Sequence, residues 1–163
     1  MAQNIPKGAY TESEDVATHL EYLKGHLAVF PAFMGGLSEE RQLARSGPGK
    51  WSRKEVLGHL IDSATYNLTR FTRAPIGPSP FVPERYPQEE LVRVNRYQDL
   101  PLGHLLTLWE GLNRQILFVV EGLGPKELAL PIRFSDGTTP TLGWLFNDYV
   151  AHLEHHLQQV YAR

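Results

Sequence analysis

The chain has 163 residues, 42% of them hydrophobic and 21% charged, with seven His and no Cys. That length suits one compact unit, residues 1–163 as a single domain, burying roughly two-thirds of its unfolded surface without staples. Absent Cys excludes disulfides, thiolate zinc fingers, iron–sulfur clusters and a cysteine nucleophile, so any metal must be held by nitrogen and oxygen. The formal charge of −2 gives no electrostatic reason to expect nucleic acid or an anionic membrane as partner.

The N-terminal stretch MAQNIPKGAY has neither an apolar core nor an Arg-rich amphipathic pattern, so no signal or transit peptide is read there. No run of 18 apolar residues occurs, which leaves no membrane span. The expectation is a soluble, cytoplasmic protein.

Proline breaks helix interiors, and the twelve prolines leave four long windows free of it: 7–30, 49–74, 102–124 and 141–163. Each is long enough for a helix of a four-helix bundle. In the second window Val56, Leu57, Leu60, Ile61, Ala64, Leu68 and Phe71 repeat at helical spacing. The third carries Leu105, Leu106, Trp109, Leu112, Ile116 and Val120, and the fourth Leu142, Leu145, Phe146, Tyr149, Val150, Leu153, Leu157 and Val160. Ser52 with Glu55 forms a capping box before the second helix. Thr139-Pro140 predicts the start of the fourth, and Gly122 the end of the third.

Between the second and third helices lie thirteen residues, Pro75 to Pro87, with five prolines. This reads as a long crossover. Residues 88–98 predict a short helix, and the stretch 128–134 before Asp136-Gly137 a short extended pair. The fold expected is all-α, a four-helix bundle with one long crossover.

Three His fall within Ala151-His152-Leu153-Glu154-His155-His156 in the fourth helix. At about 100° per residue, His152 and His156 lie about 40° apart, the i,i+4 relation by which two imidazoles reach one ion. The 152/155 pair, about 60° apart, stays geometrically open. A zinc-peptidase motif fails on register, because Leu153 stands where H-E-x-x-H needs its Glu, and His155 where H-x-x-E-H needs it. Glu154, about 200° from His152, is expected to face solvent.

A catalytic metal centre generally has three protein ligands, so a third should come from another helix. His59 is the leading candidate, mid-helix on the edge of an apolar stripe. Asp62, one turn on, either orients His59 or replaces it as an oxygen ligand, and Asp148 sits one turn before His152 on the same side. His19, His26 and His104 are expected at surface or boundary positions, His19 and His26 forming a reserve ligand set. Gly47-Pro48-Gly49-Lys50 lacks P-loop spacing and reads as a loop that positions Trp51.

The stretch from Gly49-Lys50-Trp51-Ser52 through Glu55 and His59 to Asp62, together with Leu142-Gly-Trp to His152-Leu-Glu-His-His156-Leu-Gln-Gln159, resembles the DinB-like (DinB/YfiT) family of metalloenzymes. The resemblance spans most of the chain. It implies a four-helix bundle with three His ligands, carried here onto His59, His152 and His156, around a divalent metal ion such as nickel, zinc or iron. It also implies a homodimer and a small-molecule substrate, with thiol S-transferase or hydrolase chemistry. A low-molecular-weight thiol would come from outside, since the chain has no Cys. Arg70 or Arg73 would meet an anionic group where the crossover borders the bundle. The alternative is a non-catalytic bundle that binds a metal or ligand.

Overall fold

A computed structural model describes residues 15–162, and among them eight helical segments and no strand. Four helices are long: α1 (Val16–Gly35), α3 (Arg53–Arg73), α5 (Leu102–Glu121) and α7 (Leu142–Tyr161). Between them lie α2 (Glu39–Leu43), α4 (Gln88–Asn95), a 3₁₀ turn (Tyr97–Asp99) and α6 (Pro125–Leu128). Both α1 and α3 pack against α5 and α7, so α1 and α3 occupy one diagonal of the bundle, α5 and α7 the other. The core between them contains Phe30, Leu57, Phe71, Trp109, Phe146 and Leu153, each buried. Each such side chain contributes roughly 1.5–3 kcal/mol by leaving water.

Local chemistry explains most helix ends. Ser52 Oγ accepts from the Glu55 amide at 3.1 Å and the Glu55 carboxylate accepts from the Ser52 amide at 2.8 Å, the reciprocal box expected from sequence. Gly122 caps α5 as expected. At α7 the cap is not Thr139-Pro140 but Thr141, whose hydroxyl accepts from the Trp144 amide at 3.1 Å. Pro140 is occupied elsewhere: its carbonyl accepts from Ile132, and Thr138 accepts from Phe134, which closes the extended pair around Asp136-Gly137 through isolated bridges rather than strands.

The first helix overruns its expected proline stop at residue 31 and ends at Gly35, with Pro31 inside it. Residues 7–14 of that window lie outside the described residues. A proline inside a helix loses one backbone hydrogen bond. Phe30 and Met34, fully buried on either side of it, hold the last turn against the core.

The central helix, α3, is buried without interruption from Arg53 to Ala64. Its charged first turn is satisfied internally: Arg53 donates to the carbonyls of Val160 and Arg41, and Lys54 to that of Gln98. The crossover 75–87 runs as predicted, tied by Phe81 to Pro131 and Arg133. Helix α4 and the 3₁₀ turn follow it and pack on α3.

Candidate metal centre

Adjacent helices α3 and α7 bring the three histidines to one point. His59, on the buried face of α3, is fully buried; His152 and His156, one turn apart on α7, are half-buried. The Nε2 of His152 lies 3.2 Å from Nε2 of His59 and 3.1 Å from Nε2 of His156. One donor atom from each ring lies within 4.8 Å of the others.

These distances test the donor set. A neutral imidazole nitrogen carries either one hydrogen or one lone pair, so His152 Nε2 cannot serve two neighbouring nitrogens equally well. A single cation at about 2.1 Å from each nitrogen, in tetrahedral or octahedral geometry, sets neighbouring donors about 3.0–3.4 Å apart. The two separations from His152 Nε2 match that requirement, the third is within 4.8 Å, and the group could hold a metal ion.

The Nδ1 atoms of the two α7 histidines have polar neighbours at helical spacing. Ser63 Oγ, one turn after His59, lies 3.5 Å from His152 Nδ1, and Gln159 Oε1 lies 3.2 Å from His156 Nδ1. Helical spacing makes both findable from sequence, i+4 from His59 and i+3 from His156. Trp51 lies over His59 with ring centroids 5.0 Å apart, brought there by the turn at Gly47 to Lys50, where Gly49 has a φ of 68°.

His155 stays outside the group: it is exposed, and its Nε2 lies 2.9 Å from Gln159 Nε2. Among the two pairs that helical geometry leaves open, 152/156 is the one that converges with His59. Asp62 also stays outside. Its Oδ1 accepts from Tyr97 Oη at 2.6 Å and from Asn95 Nδ2 at 3.0 Å, so α4 and the 3₁₀ turn, rather than a histidine, claim it. Burial pushes its carboxyl above the usual range, against those two hydrogen bonds.

Three expectations fail on burial. His19 and His26 are not at the surface but buried, and Glu154 does not face solvent. Glu154 Oε1 lies 2.8 Å from His26 Nε2, because that side of α7 faces α1 rather than water. His104 is exposed, as expected.

Beside the histidines opens a cavity of about 350 Å³, lined by His152, Ser63, Arg70, Arg85 and Tyr86, with Asp148 and Tyr149 on the α7 wall; the Tyr86 side chain hydrogen-bonds Ser63. Asp148 therefore faces this space and is not in the three-His group. Arg70 lies against the Tyr86 ring, 5.8 Å from its centroid, and Tyr86 stacks on Tyr66 at 4.2 Å. Burial raises the pKa of the Tyr86 hydroxyl.

The fold is shared with known structures. YfiT from Bacillus subtilis, described as a probable metal-dependent hydrolase with an unusual four-helix bundle topology, superposes with a TM-score of 0.83 at 16% identity, over 97% of this chain and 90% of that one. The mycothiol-dependent maleylpyruvate isomerase superposes at 0.69 and 12% identity; 91% of this chain is covered, but only 62% of the isomerase. An uncharacterised Escherichia coli protein superposes at 0.59 and 14% identity, over 95% and 93% of the two chains. No curated protein matches by sequence. The sequence profile of the DinB superfamily matches residues 22–160, a span that takes in all three converging histidines and the helices that carry them, and the chain belongs to that superfamily.

Proposed function

We propose that this protein is a metal-dependent enzyme acting on a small molecule, in which His59, His152 and His156 hold a divalent ion (nickel, zinc or iron). The observation that carries this reading is the convergence of three imidazole nitrogens with no fourth His, Asp or Glu in the group among the described residues. Three protein ligands with a position left open is the arrangement of catalytic sites; structural sites are closed by a fourth. A bound divalent ion supplies Lewis acidity and lowers the pKa of a water or thiol, so that a nucleophile forms near neutral pH.

The chain's own residues do the positioning. Ser63 and Gln159, beside the Nδ1 atoms of His152 and His156, hold both rings with Nε2 turned to the centre. Trp51 covers His59 and keeps water from that flank. The cavity next to His152 receives the substrate. With no Cys in the chain, a thiol transfer would draw its thiol from a low-molecular-weight co-substrate. S-transfer and hydrolysis are the two reactions this arrangement supports, in line with the hydrolase description of YfiT and the thiol dependence of the isomerase.

Metal analysis of untagged protein, joined to thiol-transfer and hydrolase assays, tests the reading. About one equivalent of a transition metal is expected, with any activity lost in His152→Ala and His156→Ala. Wild-type protein that retains no metal overturns it; bound metal without turnover in either assay class supports a non-catalytic binding bundle instead.

A further inference from the structure

The cavity has a polar floor that runs away from the histidines. His59, Ser63, Asn67 and Arg70 follow one another along α3 at i, i+4, i+8 and i+11, which puts them on one face. Hydrogen bonds link the last three to one another and to His152. Ser63 Oγ lies 3.5 Å from His152 Nδ1, Asn67 Nδ2 donates to Ser63 Oγ at 3.5 Å, and Arg70 Nη1 donates to Asn67 Oδ1 at 3.3 Å.

Arg70 ends this stripe with donors to spare. Its Nη2 donates to the Glu84 carbonyl at 2.9 Å, while its Nε–H is buried and has no hydrogen-bond partner. One carboxylate acts on its charge through space, that of Asp148, which lines the same cavity. A guanidinium stays charged at any accessible pH, and a buried donor of a charged group left unmade is costly. The Tyr86 ring and the Glu84 carbonyl hold the fork in place, so it is preorganised.

We propose that this cavity is a carboxylate subsite, in which Arg70 receives the carboxylate of a small organic acid whose reacting group lies at the histidine end. Charge favours a carboxylate over a phosphate dianion, because the lining carries two cations, Arg70 and Arg85, against one carboxylate, Asp148. The seven residues from Ser63 to Arg70 advance about 10 Å along the helix axis, the scale of a small organic acid. The reacting end rests on the metal centre proposed above; the carboxylate end does not.

Titration of metal-free and zinc-loaded protein with acetate, succinate, acetamide and inorganic phosphate, followed through the arginine Nε–Hε resonances, tests the subsite. Acetate and succinate should bind saturably in both forms, at least tenfold tighter than acetamide. Arg70→Gln should weaken them at least tenfold, and Asp148→Asn should tighten them several-fold. Should Arg70→Gln fail to fold, Arg70→Lys decides: it keeps the charge but loses the fork, and several-fold weaker binding is expected. Unchanged affinity in the folded Arg70 variants, or phosphate binding tighter than either carboxylate, overturns the subsite. So does carboxylate binding that requires zinc, an outcome that leaves the metal centre standing; binding in a protein that takes up no zinc does the reverse.

Discussion

His26 on α1 and Glu154 on α7 form a buried contact, Nε2 to Oε1 at 2.8 Å, with the two residues 6% and 2% exposed. It lies on the side of α7 opposite the three histidines, so one helix carries a polar centre on each face. Removing one member leaves the other buried without its partner, which costs about 3 kcal/mol. Glu154→Ala should therefore lower the urea midpoint markedly, while His26→Leu combined with Glu154→Leu should regain most of the loss. Metal content should stay at the wild-type level in both. A double variant no more stable than Glu154→Ala would show that the pair is not the source of the effect.

Metal uptake separates the histidines. His152→Ala and His156→Ala should bind no metal, His59→Ala should bind it far more weakly, and His155→Ala and His104→Ala should match wild type in elemental analysis. Ser63→Ala and Gln159→Ala should retain metal with affinity reduced roughly tenfold or more, since they only orient ligands. Zinc at about 100 times its dissociation constant should stabilise the wild type by about 2.7 kcal/mol, and this gain should vanish in His152→Ala. Loss of metal in His155→Ala with retention in His156→Ala would reverse the ligand assignment.

Gly58 is where α3 admits the 3₁₀ turn. A Cβ built there would stand 2.0 Å from Tyr97 Cδ2 and 2.7 Å from Tyr97 Cβ, too close for the ring to remain. Gly58→Ala should displace Tyr97, remove its hydrogen bond to Asp62, and cost about 2–4 kcal/mol through overpacking and the lost contact. A melting temperature equal to wild type would contradict this packing.

Asp62 sets a pH dependence of known sign. Burial holds its carboxyl pKa above the ordinary 3.8, despite the hydrogen bonds from Tyr97 and Asn95. The folded protein therefore keeps this proton to higher pH than the unfolded chain, so its contribution is full below the unfolded value and falls as pH rises through the folded one. Asp62→Asn keeps the Oδ1 acceptor and removes that fall. Relative to wild type, the variant should gain stability as pH increases from about 4 toward neutrality, measured by urea midpoints in EDTA. A difference that is flat or declines with pH would sink the assignment.

The long helices were legible because their signals are local. Proline spacing, the Ser52 and Glu55 box and the 3.6-residue apolar stripes all act within a few residues. The same spacing located His59, His152 and His156 as candidates on two helices. What was not legible depends on which neighbour a helix face meets. Glu154 reads as solvent-facing until α1 is known to cover that side, and Asp62 reads as a partner of His59 until Tyr97 reaches it from a turn 35 residues on. Pro31 is the converse case, a strong local stop overridden by the burial of Phe30 and Met34.

Helix α7 has one further consequence, for the order in which the protein can be completed. His59 meets its neighbour 93 residues later, and His26 meets Glu154 after 128. A nascent chain that has emerged only as far as α5 thus presents His26 and His59 with neither partner, and the apolar faces of α1 and α3 without one wall. Both polar centres close only when the last of the described helices docks. The co-translational lifetime of that three-helix intermediate, rather than the stability of any single helix, is then the vulnerable interval for this bundle.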